Sequence, residues 1–227
     1  MADPYLYPGT SVLKNKLGIM EESGLEAAEF NYVSLRLKEL KVTPLSGSYD
    51  FKHLCDTHKY IFQDLYEWAG EPRIINITKD ESINYAKHGD IKKEAAEVIC
   101  KMENEPWEKL SLGQKAERFS KHFAALWKIH PFREGNTRAV THFCCQYADK
   151  KGIAIDSSLF AKDKNSAAYL RDSLVAANTV FYGLGDKFSL KPLHLIVLDA
   201  IQQGQEQKKQ EYRGEHSSGV YILPARY

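Results

Sequence analysis

A histidine, a glutamate, an asparagine and an arginine fall within the nine-residue run His130-Pro131-Phe132-Arg133-Glu134-Gly135-Asn136-Thr137-Arg138. His130 continues an apolar helical face begun by Phe123 and Leu126, and alone it would be read as a core histidine satisfied by one hydrogen bond. Pro131 changes that reading, because a proline pushes its predecessor out of helical geometry. His130 then ends one helix and faces the start of the next. An imidazole there titrates near neutral pH and can take a proton from an attacking hydroxyl. Glu134, alone a surface acid, can hold Mg²⁺ if phosphate oxygens complete the shell. Gly135 permits close backbone approach and Asn136 is a good N-cap. The N–H groups at positions 135–138, with the helix dipole, form an anion site. Arg138 has the wrong charge for a first helical turn, which is explained if a bound polyphosphate supplies the negative charge. The run reads as the core of a phosphate-handling active site.

The elements that position it are mostly helical. Apolar residues at steps of three and four predict a first helix over 23–40, with Leu25, Ala28, Tyr32 and Leu35 on one face. A strong stripe runs from Phe51 to Leu65 and is stopped by Gly70 and Pro72. Further helices are predicted over 90–103, from Ser111 with a Ser111/Gln114 capping box, over 136–151, 165–180 and 192–203. The β-branched stretch 73–78, the polar turn 79–82 and a second extended piece at 83–86 predict one small hairpin. The division expected is an N-terminal segment with the first helix (1–45), a core domain (46–203) and a polar C-terminal extension (204–227), helical at first and fraying into a tail.

The bulk numbers bound the rest. A chain of 227 residues can bury a sizeable core. Lys and Arg total 31 against 30 Asp and Glu, so no electrostatic bias points to nucleic acid or a membrane surface. Cys55, Cys100, Cys144 and Cys145 form no metal-spaced array, and the N-terminal stretch lacks the apolar core of a signal peptide. The expectation is a cytoplasmic protein with reduced thiols, although delivery into a host cell stays open.

At these residues the chain resembles the Fic family, whose motif is HxFx(D/E)GNGRxxR. The run HPFREGNTR matches its His, Phe, Glu, Gly, Asn and first Arg. The stretches YLYPGTSVLKNKL and IFQDLYEWAGEPRIINI, in this order before the motif, extend the resemblance over most of the chain. It implies a mostly α Fic-type helical bundle with one small β-hairpin, the flap. It also implies a protein adenylyltransferase moving AMP from Mg-ATP onto a Ser, Thr or Tyr hydroxyl of a target protein. His130 would be the general base, Phe132 the loop's anchor and Glu134 the Mg²⁺ ligand. Gly135, Asn136 and Thr137 would belong to the nucleotide cradle, and Arg138 would neutralise the leaving pyrophosphate. Ile74, Ile75, Asn76, Ile77, Ile83, Asn84 and Tyr85 form the flap that would pair with an extended target segment. Tyr169 falls where family members contact the nucleobase, against the simpler reading of a core tyrosine.

Two positions depart from the family pattern. Thr137 replaces the second motif glycine, and Thr141 replaces the second arginine, which in the family steadies the outer phosphate. The loss of such a charge-assisted contact costs about 1.5–3 kcal/mol when nothing replaces it. No Ser/Thr-x-x-x-Glu-Gly/Asn inhibitory segment is recognisable, so either control comes in trans from a small antitoxin-like partner or the enzyme is weak enough to need none. The alternatives are a phosphoryl or other nucleotidyl transferase on the same fold, and a degenerate non-catalytic Fic binding module. The family's phosphate-transferring Doc branch carries a lysine in the loop, and Thr137 stands against that variant.

Overall fold

Seven α-helices account for most of the chain in this computed structural model, which describes residues 3–78, 83–161, 163–179 and 189–217. They are α1 (Glu22–Val42), α2 (Phe51–Phe62), α3 (Ile91–Glu103), α4 (Leu112–Ile129), α5 (Asn136–Lys150), α6 (Lys164–Asn178) and α7 (Lys191–Ser217). Short 3₁₀ turns occur at Trp107–Lys109 and Ser157–Phe160. The mostly helical class read from the sequence is the class observed.

Helix α4 is the central element. Ser111 caps it in the expected box with Gln114, and Ala116, Phe119, Phe123, Leu126 and Trp127 are buried along it. It packs against α3, α5, α6 and α7. The next helix, α5, lies against α2, and its Val140, Phe143, Cys144 and Tyr147 are buried in the same core. The loop 130–135 between these two buried helices therefore has both ends fixed.

Three expectations are corrected, and a fourth, a helical extension after Gly204, is observed. The α1 face is Leu25, Val33 and Leu40, whereas Tyr32 and Leu35 are exposed. The misreading arose because that inner face also carries Glu29 and Arg36, which are tied to Tyr66 and Asp64. The stretch 73–78 bends at Ile74 and Ile75 and joins no strand ladder among the described residues, Ile83 makes an isolated β-bridge, and the turn 79–82 lies outside the described residues. The N-cap of α5 is Gly135, with Asn136 the first helical residue. Finally, α7 continues through Gly204 to Ser217, while 218–227 lie outside the described residues. Gly204 does not end the helix. A Cβ there would meet the Ala154 backbone at 2.7 Å, so the glycine lets α7 close on the chain after α5. No helix among the described residues is long and apolar enough to cross a membrane.

Candidate active site

The loop is over-determined by buried contacts. His130 caps α4 at φ 50° and ψ 60°, the left-handed region that a non-glycine residue occupies only when its surroundings hold it there. Those surroundings are visible. Its backbone N–H donates to Trp127 O and its carbonyl accepts from Arg73 Nε at 2.8 Å. Its ring stacks on Tyr85 at 4.0 Å and meets Trp127 edge-on at 5.3 Å. Phe132 is fully buried and stacks on His58 at 3.8 Å. The Asn136 side chain closes the loop, accepting from Phe132 N and donating to Phe132 O. Gly135 is required twice over: its φ is 78°, and a Cβ would lie 2.2 Å from the Phe62 ring.

Three residues that spacing did not single out hold this geometry. Arg73, only 2% exposed, donates to the carbonyls of Ile75, Ala86, Ile129 and His130, while its N–H donates to Pro131 O. One guanidinium thus joins both flap segments to the end of α4, where a cation also suits the helix dipole. His58 accepts from Gly70 N at Nδ1, so the tautomer is fixed and Nε2–H donates to Glu134 O. Burial pushes the His58 pKa down to about 3, and the ring stays neutral. Glu29 on α1 is the third. Its Oε2 accepts from Arg138 Nη1 at 3.0 Å and its Oε1 from the Tyr66 hydroxyl at 2.6 Å.

Arg138 is therefore shared. Nη2 reaches Glu134 Oε1 at 3.1 Å, and the guanidinium lies 4.7 Å from the Phe62 ring centroid. The two carboxylates supply the negative charge that the sequence reading assigned to a ligand alone. Glu29 fits no Ser/Thr-x-x-x-Glu pattern, because Leu25 stands where the hydroxyl would be. The Glu134 side chain is 42% exposed and its Oε1 also accepts from Gly135 N. No group of three or more acidic, His or Cys side chains able to hold a metal occurs among the described residues. The donor set fits Mg²⁺ in one way: a single open carboxylate whose remaining ligands come from a nucleotide and water.

The two departures from the family pattern differ. Thr137 accepts from Trp127 Nε1 at 2.9 Å and so has a structural partner. Thr141 Oγ1 is buried with no hydrogen-bond partner among the described residues, as is His142 Nε2. Both residues line a cavity of about 540 Å³ between α5, the C-terminal half of α1 and the start of α6. Tyr169 is 54% exposed, so it is not the core tyrosine expected, nor does it line that cavity as Ala167 and Leu170 do. Along the flap, Ile74, Asn76 and Asn84 are exposed, Ile75, Ile77 and Tyr85 half-buried, and Ile83 buried.

The family model for Fic/DOC proteins matches residues 48–148. A protein named "Probable protein adenylyltransferase Fic" from Salmonella typhimurium is 31% identical over 154 residues, covering 67% of this chain and 76% of that one. The chain belongs to the Fic/DOC family. The protein adenylyltransferase VbhT of Bartonella schoenbuchensis is 36% identical over 155 residues, and the match spans 68% of this chain but 32% of that longer protein. Among solved structures, the Bartonella tribocorum effector BepC with bound AMPPNP superposes with a TM-score of 0.71 at 26% identity, covering 86% of this chain and 95% of that one. The Fic/DOC match ends before α6 and begins after α1, so Glu29 lies outside it.

Proposed function

We propose that this Fic/DOC chain is a protein adenylyltransferase that moves AMP from Mg-ATP to a hydroxyl side chain of a target protein. The observation that carries this reading is the His130 ring, held at a strained helix end one loop away from the Gly135–Arg138 amides. Relatives named protein adenylyltransferase, and an AMPPNP-bound structural neighbour, support the same chemistry.

In the proposed reaction His130 takes the proton from a Ser, Thr or Tyr hydroxyl as its oxygen attacks the α-phosphorus. The bond to the β-phosphate oxygen breaks and pyrophosphate leaves, its growing charge met by Arg138 and the N-terminal amides of α5. Mg²⁺ held by Glu134 would supply further charge neutralisation across the phosphates. The hydroxyl arrives on an extended segment laid along the flap, where Ile74, Asn76 and Asn84 are exposed. A small protein partner acting in trans would find its surface at the cavity beside Thr141, which Thr137 and Arg138 of the cradle also line.

The test is mass spectrometry of extract proteins incubated with the chain and Mg-ATP. Targets should gain one AMP with wild type and none with His130→Ala. A phosphate adduct, or equal modification by the histidine variant, would overturn the reading.

A further inference from the structure

Helix α1 brings one carboxylate, Glu29, onto Arg138 from outside the family-matched region. Glu134 stands just before the Gly135 N-cap of α5 and within reach of Arg138 in its first turn, and Arg–carboxylate pairs are frequently two-pronged. This one is not. Nη1 goes to Glu29, Nη2 makes a single contact with one oxygen of Glu134, and the Glu134 side chain stays open to solvent.

We propose that Glu29, backed by Tyr66, is a positioning residue that holds Arg138 back from Glu134, so that the Glu134 carboxylate can be handed to a metal–nucleotide complex. The proposal rests on the AMP-transfer reading above. Glu29 is built as a permanent fixture. Its side chain is 17% exposed, it sits in the interior of a 21-residue helix packed on α2, and its second oxygen accepts from Tyr66. Tyr66 is itself buried and stacks on Trp68 at 4.3 Å. Burial and the Glu29 charge raise its pKa, so the hydroxyl keeps its proton and remains a donor to Glu29. Arg138 meanwhile spends two of its five N–H groups on the acids and keeps three for phosphate oxygens.

The variants to compare are Glu29→Gln, which keeps an acceptor for Tyr66 but loses the charge, and Tyr66→Phe, which keeps the charge but frees it. Calorimetry with the full chain gives the ATP dissociation constant with and without Mg²⁺, and transfer of α-phosphate label to extract proteins gives the rate. In Glu29→Gln, Arg138 closes on Glu134. The factor by which Mg²⁺ tightens ATP binding should then fall roughly tenfold, the size of one charge-assisted hydrogen bond. The labelling rate at saturating Mg-ATP should fall with it, and Tyr66→Phe should lie between. An unchanged metal factor in both variants overturns the proposal. So does a Glu29→Gln variant that labels as fast as wild type or faster, which would make Glu29 an inhibitory plug. Should Glu29→Gln fail to fold, the metal factor of Tyr66→Phe decides. A wild type that binds Mg-ATP but transfers no AMP would overturn the AMP reading, and the calorimetric factor would still decide the role of Glu29.

Discussion

The first turn of α5 and the turn that follows it are satisfied in opposite ways. Around residues 134–138 polar groups are partnered: Asn136 on Phe132, Thr137 on Trp127, and Arg138 on Glu29 and Glu134. One turn later Thr141 Oγ1 and His142 Nε2 are buried without partners among the described residues, beside a cavity. Burial lowers the His142 pKa to about 4, so the ring adds no cation to this wall. The contrast separates two demands on a nucleotide site. The end near His130 is fixed in advance and suits chemistry at one phosphorus. At the far end the cavity wall takes its cations from Lys38 and Lys41 of α1 and from Arg138, not from position 141.

The largest effect should come from the ordered end. His130→Ala should lower the rate of AMP transfer by roughly 10²–10⁴, the usual range for a general base, while leaving the melting temperature close to wild type. Near-wild-type transfer would remove the distinction between the two turns. Next is Arg73→Met, which leaves several carbonyls of the flap and α4 without their donor. It should cost about 3 kcal/mol or more in urea unfolding, because a buried acceptor left bare loses its full compensation. A loss under about 1 kcal/mol would mean that the flap is not held through this side chain.

Thr141→Arg tests the other end. Restoring a cation beside the cavity should tighten Mg-ATP binding roughly tenfold or more by calorimetry, the value of one charge-assisted phosphate contact. A further difference is a pH dependence of stability. The His58 pKa is depressed to about 3 in the fold against an ordinary 6.5, so its contribution is fully present above pH 6.5. It is lost as pH falls from 6.5 toward 3, by at most about 1.4 kcal/mol per pH unit. Stability measured between pH 7 and 5 should decline less steeply in His58→Gln than in wild type.

How much of this was legible in the sequence follows from how far each interaction reaches along the chain. The helices over 91–103 and 112–129 were readable because apolar periodicity and the Ser111/Gln114 cap are local. The end of α4 at His130 was readable too, since Pro131 acts on its neighbour, but its left-handed conformation was not. Arg73, His58 and Glu29 were not, because they act on His130, Glu134 and Arg138 across 57, 76 and 109 residues. No spacing rule covers such distances. Glu29 had one local signal: it stands four residues from both Leu25 and Val33, on the buried face of α1. Placing Tyr32 and Leu35 on that face hid it. The flap was half legible, its alternation of exposure being present without the expected ladder among the described residues.

The most direct test of the central claim uses ATP labelled at the α-phosphorus and ATP labelled at the γ-phosphorus, in parallel reactions with wild-type protein and extract. If the His130 imidazole activates a hydroxyl against the α-phosphorus, label should reach protein from the α position alone. Label arriving from the γ position would contradict the account.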